Sequence, residues 1–122
     1  MSGNELIERK FQKELNSGTA ALVLLAVLAR SGEPMYGYQI AKHLDTGNEY
    51  VPVKQGALYP VLRSLEAGGL LDSQVEPSVS GPPRRYYRIT ENGRETLRQW
   101  VEIWHRTRTF VESTLKGNHD DQ

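Results

Sequence analysis

Two one-sided apolar stripes at helical spacing, followed at once by a strand-loop-strand pattern, leave this chain few architectures. Gly37, Ile40, Ala41 and Leu44 recur at i, i+3, i+4 and i+7, the inner face of a helix starting near Tyr36. Tyr38, Gln39, Lys42 and His43 fall outward or at its flanks. Residues 45–53 hold Gly47, Asn48 and Pro52 and read as a connecting loop. Helix resumes at about Lys54 and runs to Ala67 on a stripe of Leu58, Leu62 and Leu65, closed by Gly68-Gly69. Strands are expected over Leu71–Glu76 and Arg84–Thr90, joined by the loop Pro77-Ser-Val-Ser-Gly-Pro-Pro83. On the second strand Tyr87 and Ile89 share one face, and Tyr86, Arg88 and Thr90 the other.

Helices flank this unit on both sides. Asn4–Leu15 carries Ile7, Phe11 and Leu15 at four-residue spacing. Asn16-Ser-Gly-Thr19 reads as its end, with Ser17 or Thr19 capping the next helix. Ala20–Ala29 is apolar all round, the mark of a buried central helix, and Arg30-Ser-Gly32 stops it. Thr90 is expected to cap a last helix from Glu91 to about Leu115. That helix has one stripe of Leu97, Val101, Trp104, Val111 and Leu115, and a second of Trp100, Ile103, Thr107 and Phe110. An apolar arc so wide implies burial on two sides, one against its own domain and one against a second copy. The fold class is mostly α with a small β-hairpin, a winged helix-turn-helix with terminal dimerisation helices. The expected divisions are 1–17 for an N-terminal helix assisting dimerisation, 18–90 for the winged domain, 91–116 for the dimerisation helix and 117–122 for a flexible tail.

Composition removes several function classes. The longest apolar run has ten residues, half of the ~20 needed to span a bilayer. No charged start leads into an apolar stretch, so a secretory signal is not expected. The absence of cysteine excludes disulfides and thiol catalysis and favours a cytoplasmic address. His43, His105 and His119 are scattered, without carboxylate or cysteine at ligand spacing, so neither metal nor cofactor is expected. No catalytic triad order or phosphate-binding glycine loop is present, and an enzyme is not expected.

Fifteen basic residues balance fifteen acidic ones, so any nucleic-acid contact must rest on local charge. The second strand supplies it in Arg84, Arg85 and Arg88. The helix ending at Ala67 supplies a thin face, since Gly56, Pro60, Arg63, Ser64 and Ala67 point away from its leucines, with Tyr59 at the edge. The ring of Pro60 crowds the carbonyl of Gly56 and removes its amide donor, a strain that a glycine near the helix start absorbs. Such a face lets a backbone approach a DNA groove closely. The expected partner is double-stranded operator DNA. Gln55 and Tyr59 are expected at bases or sugars, and Lys42, Lys54, Arg63, Arg84 and Arg85 at phosphates, with Tyr38 beside them on the preceding helix. The alternative is a winged helix that binds protein, an adaptor or anti-activator, which the neutral total charge favours.

Trp100 and Trp104 admit two readings. With Val101, Ile103 and Val111 they pack a dimer interface, or they wall a pocket at the dimer centre for a planar aromatic effector.

The motifs Met35-Tyr-Gly-Tyr-Gln-Ile, Gly56-Ala-Leu-Tyr-Pro-Val-Leu-Arg-Ser-Leu-Glu, Gly69-Leu-Leu and Gly81-Pro-Pro-Arg-Arg-Tyr-Tyr-Arg-Ile-Thr-Glu-Asn-Gly-Arg-Glu follow one another in order. In them the chain resembles the PadR family of bacterial transcriptional regulators, over roughly Gly18 to Trp100. Its length resembles the short subclass with a single C-terminal helix. The resemblance implies a homodimer built on the last helix and helped by the first. It implies that the helix bearing Leu58-Tyr59-Pro60 reads the major groove while the wing contacts the backbone. Many members repress genes for detoxification, efflux or phenolic-acid handling and leave DNA on meeting a small molecule. The segment Asn48-Glu-Tyr-Val-Pro-Val-Lys54 departs from the family in lacking a serine-rich start to that helix.

Overall fold

The computed structural model describes residues 2–45 and 55–120. Its elements run α1 (Gly3–Ser31), β1 (Met35–Tyr36), α2 (Gly37–Leu44), α3 (Gln55–Ala67), β2 (Leu71–Glu76), β3 (Arg84–Ile89) and α4 (Glu91–Asp120).

The first helix is continuous where the sequence reading expected a break at Asn16–Thr19. Neither Ser17 nor Thr19 caps a helix start. The Thr19 hydroxyl turns back and donates to the carbonyls of Leu15 and Asn16 at 3.0 and 3.3 Å. Gln12 Nε2 donates to Asn16 Oδ1 at 2.7 Å, one turn on. Polar side chains that find partners within the preceding turn need not leave the helix, and one glycine, Gly18, weakens it by only about 1 kcal/mol. The 17/18 division therefore falls inside α1. The actual cap is Ser2, whose hydroxyl accepts from the Glu5 amide at 3.2 Å, and Gly32 closes the helix in the left-handed region at φ 71°. The apolar stretch is not sheathed on all sides either: Leu24, Leu25 and Leu28 are buried, but Ala26 is exposed. α2, α3, the sheet and α4 pack against this helix but leave part of its circumference open.

The chain then makes a two-residue strand that the sequence reading missed. Met35 and Tyr36 pair with Tyr87 and Tyr86, so the sheet has three antiparallel strands in the order β1-β3-β2. The hairpin register runs from Leu71↔Ile89 to Glu76↔Arg84. It puts Tyr87 and Ile89 in the core as their shared face required. Two residues carry no period, and β1 exists because β3 offers it an edge.

In α2, Gly37, Ile40 and Leu44 are buried, and in α3, Leu58, Leu62 and Leu65 are, as their spacing predicts. Burying a leucine side chain contributes about 1.5–3 kcal/mol, so these stripes fix which way each helix faces. At the end of α3 the amides of Gly68, Gly69 and Leu70 donate to Ser64, Glu66 and Leu65 carbonyls, with Gly69 at φ 79°. Thr90 leaves the strand to cap α4: the Gly93 amide donates to its hydroxyl at 2.9 Å, and that hydroxyl donates to the Gly69 carbonyl at 2.7 Å. A side chain on Gly93 would strike the Leu70 carbonyl. The start of α4 is thus pressed against the turn that ends α3.

Only the near part of α4 meets its own domain. Leu97 and Trp100 pack against the core cluster, and Val101 is half-buried. Trp100, on the stripe with Ile103, Thr107 and Phe110, thus reaches the core along with Leu97. It lies three residues after Leu97, roughly 60° around the helix, and its indole spans that arc to reach the core. Beyond it Ile103, Trp104, Phe110, Val111 and Leu115 are exposed, as are Leu6, Ile7, Phe11 and Leu15 on the first half of α1. The helical backbone continues through 117–120, past the expected end at 116. Among the described residues no helix is long and apolar enough to cross a membrane.

Candidate nucleic-acid interface

The helix-turn-helix pair meets at a glycine. Gly37, the first residue of α2, is buried beneath the ring of Tyr59 from α3, whose hydroxyl stands where a Cβ on Gly37 would be. Tyr59 is nevertheless 46% exposed. Its ring therefore both spaces the two helices and remains within reach of a partner. Around it the α3 face is thin, as its sequence predicts: Gly56, Pro60, Arg63, Ser64 and Ala67 are all exposed. The α2 side chains Tyr38, Gln39, Lys42 and His43 are exposed as well. Gln39 also reaches back, its Oε1 accepting from the Tyr36 amide at 3.1 Å to hold the helix start.

From Gly37 the surface continues into the wing through a run of rings and cations. The Arg84 guanidinium lies 4.6 Å from the centre of the Tyr36 ring. Tyr36 meets Tyr86 edge-on at 5.3 Å and stacks loosely with Tyr38 at 6.4 Å. Lys42 Nζ stands 5.7 Å from the Tyr38 ring centre. Each cation is attracted to the negative face of its ring, so Arg84 and Lys42 are oriented before any ligand arrives. Sequence reasoning named Tyr38, Lys42 and Arg84 but missed Tyr36 and Tyr86, whose parts depend on the β1–β3 pairing.

The three wing arginines differ in what they already hold. Arg88 makes a bidentate pair with Asp72, Nε to Oδ1 at 3.0 Å and Nη2 to Oδ2 at 2.9 Å. Its hydrogen bonds hold the Asp72 carboxyl below the usual carboxylate range and push the guanidinium up. Arg85 Nη1 donates to Ser73 Oγ at 2.9 Å, and that hydroxyl donates to Glu66 Oε2 at 2.6 Å. Arg84 keeps its hydrogen-bond donors clear of any carboxylate among the described residues. Beneath them Tyr87 is buried, and its phenol is pushed above the usual tyrosine range chiefly by that burial.

Lys54 lies outside the described residues, and Gln55 enters only as the first residue of the α3 backbone. The remaining candidates stand apart on α4. Trp100 leans on the core, Trp104 is 39% exposed, and Ile103 and Val111 are open. An open hollow on α4 is bounded by His105, Arg106, Thr109, Phe110 and Ser113, with neither indole in its wall. No group of three or more His, Cys, Asp or Glu among the described residues could hold a metal ion.

Comparison with known proteins is consistent along the chain. Residues 24–99 match the model of the transcriptional regulator PadR-like family. A solved PadR family transcriptional regulator from Eggerthella lenta is 35% identical, with a TM-score of 0.74 over 92% of this chain and 95% of that one. A solved transcriptional regulator from Clostridium thermocellum is 28% identical, with a TM-score of 0.71 over 82% of this chain and 96% of that one. A transcriptional regulator of Mycobacterium tuberculosis is 51% identical over 45 residues, 37% of this chain and 41% of that protein. The match spans the core of α1, the helix-turn-helix, the wing and the start of α4, and the chain belongs to the PadR-like family, whose members are transcriptional regulators and not enzymes.

Proposed function

We propose that this chain is a sequence-specific DNA-binding repressor that works as a homodimer on an inverted-repeat operator. One observation carries the reading: the thin face of α3, the outward face of α2 and the wing adjoin around Gly37 as one surface. A helix crowded with lysine and glutamate could not bring its backbone near base edges, whereas Gly56, Pro60 and Ser64 leave that approach open. Tyr59, with Gln55 beside the helix start, meets bases or sugars. Lys42, Arg63 and Arg84, with Lys54, meet phosphates, and Tyr38 extends the same surface.

The dimer reading is supported by apolar surface that this chain leaves uncovered. Phe110 and Leu115 on α4 are 72% and 61% exposed, and Ile7 and Phe11 on α1 are 68% and 64%. Stripes of that kind mark a protein interface, and a second copy covers both at once. Two-fold symmetry then presents two α3 helices to half-sites about one turn of DNA apart, roughly 34 Å.

Release by a planar aromatic effector belongs to the same proposal, supported by Trp104. A ligand stacked on that indole would lie one helical turn from Trp100, which touches the core of the DNA-binding part. Tighter binding to a dimer with a different separation of α3 helices would lower DNA affinity.

The test is enrichment of duplexes from a random-sequence pool by the purified chain, followed by titration at several salt concentrations. An inverted repeat with affinity falling steeply in salt is expected, because phosphate contacts release counterions. Failure to enrich any duplex would favour the protein-binding adaptor, to which the net charge of zero also points.

A further inference from the structure

Neighbouring residues on a strand send their side chains to opposite faces, and Arg84 and Arg85 accordingly have different partners. Arg84 rests on the Tyr36 ring. Arg85 points to the face that carries Tyr87 and reaches Ser73, the register partner of Tyr87 on β2. The Ser73 hydroxyl has one proton and gives it to Glu66 in the last turn of α3. Its lone pairs are thereby left for the Arg85 guanidinium. The two ends of this chain carry opposite charge, and the hydroxyl dipole between them is aligned with both.

Position gives the arrangement its consequence. Glu66 and Ser73 are half-buried, whereas Gln74, Val75 and Glu76 farther along β2 are exposed. The two hydrogen bonds thus stand where the projecting half of the hairpin leaves the body of the protein. Both Glu66 and Arg85 also act on the buried Tyr87 phenol, in opposite senses.

We propose that Glu66, Ser73 and Arg85 form a strut that sets the angle between the wing and α3, with Arg85 a positioning residue and not a phosphate contact. The proposal rests on the DNA-binding reading for its effect on affinity, but not for the strut itself. A rival arrangement has the outer Arg85 donors meeting a phosphate while Glu66 competes for the same guanidinium. The two differ in sign. A competitor's removal tightens DNA binding, and a strut's removal loosens it.

The experiment uses the full chain and a duplex that the wild type enriches from a random-sequence pool. Affinity is measured against salt for Arg84→Ala, Arg85→Ala, Glu66→Gln, Ser73→Ala and Ser73→Thr, and amide exchange in β2 and β3 is measured without DNA. Arg84→Ala should flatten the salt slope by about 0.9 per protomer, about 1.8 for a dimer on two half-sites. Arg85→Ala, Glu66→Gln and Ser73→Ala should each weaken binding with the slope unchanged, and Glu66→Gln should add little once Arg85 is alanine. Ser73→Thr, which keeps the hydroxyl, should restore binding. Exchange in the outer hairpin should quicken in Ser73→Ala, which loses both bonds at about two- to tenfold each, and less in Glu66→Gln, whose amide oxygen still accepts from the Ser73 hydroxyl. Tighter binding by Glu66→Gln, or a slope flattened by Arg85→Ala, overturns the proposal. If the wild type enriches no duplex, the DNA-binding reading fails on its own, and unchanged exchange in both variants separately overturns the strut.

Discussion

The Tyr59 phenol and the Gly37 backbone occupy one another's margin: any side chain on Gly37 would strike the tyrosine ring, not merely its hydroxyl. Gly37 opens α2 and Tyr59 sits on the exposed side of α3, so this contact sets the spacing of the helix pair. Two opposed effects meet in Gly37→Ala. Alanine is the better helix residue by about 0.5–1 kcal/mol, but overpacking a close contact costs about 1–3 kcal/mol. The collision should win, lowering the urea midpoint, and Tyr59→Ala in the same chain should recover part of the loss. Gly37→Ala that is as stable as the wild type would show that the ring moves aside without cost.

The same ring should matter more for sequence than for charge. Tyr59→Ala is expected to weaken binding to the enriched operator more than to random duplex, because a phenol at base edges carries discrimination. Equal losses on both would reduce Tyr59 to a spacer between helices. Tyr36 should act differently, through Arg84. Tyr36→Leu should weaken binding when Arg84 is present and change little when it is alanine, as a double-mutant cycle would read.

How much of this was legible beforehand follows from how far apart the deciding residues lie. The stripes of α2 and α3, the hairpin and the Thr90 cap could be read because each is settled within a few consecutive positions. The continuity of α1 was hidden, since Thr19 has the same side chain whether it starts a helix or bonds back to Leu15. β1, the Tyr36 platform and the need for Gly93 depend on contacts across the chain, with β3 or with the Leu70 carbonyl. The contact of Trp100 with the core was hidden for a related reason. Its stripe could be drawn, but how far an indole reaches across a helix face is decided by what lies opposite.

The exposed halves of α1 and α4 lead to an expectation about assembly. Phe110→Glu with Leu115→Glu should give a monomer by light scattering at tens of micromolar with the winged domain still folded, since neither side chain is buried within the chain. Val101 is a poorer choice because it is half-buried within the single chain. A double variant that remains dimeric would place the interface elsewhere.

Two titrations should shape stability against pH. Tyr87 has its folded pKa raised, so the folded state favours the neutral phenol. Its contribution is complete below the unfolded value near 10 and is lost as pH rises from there through the folded value. Tyr87→Phe should flatten this alkaline loss. Asp72 has its folded pKa lowered by Arg88, so its contribution is present above about 3.8 and fades as pH falls through the folded value. Asp72→Asn should remove that acid limb, although the pair is exposed and the effect small. Denaturant midpoints measured across pH would show both limbs, and an alkaline limb unchanged by Tyr87→Phe would assign it to another tyrosine.

The effector proposal turns on which indole a ligand can reach. Trp100 is committed to the core, so a planar aromatic compound should report chiefly through Trp104, which is open and sits among the exposed apolar residues of α4. Stacking on an indole contributes about 0.5–1.5 kcal/mol per aromatic contact, enough for one ring to quench emission only where further contacts hold the ligand. Titration of the dimer with a panel of flat aromatics should quench or shift the emission, and the same compounds should loosen operator binding. Trp104→Phe should abolish the spectral response while the dimer persists, whereas Trp100→Phe should keep the response and lower stability. Should no compound both alter the emission and release DNA, Trp104 is packing between two copies, and any release of this regulator from DNA must be sought outside its tryptophans.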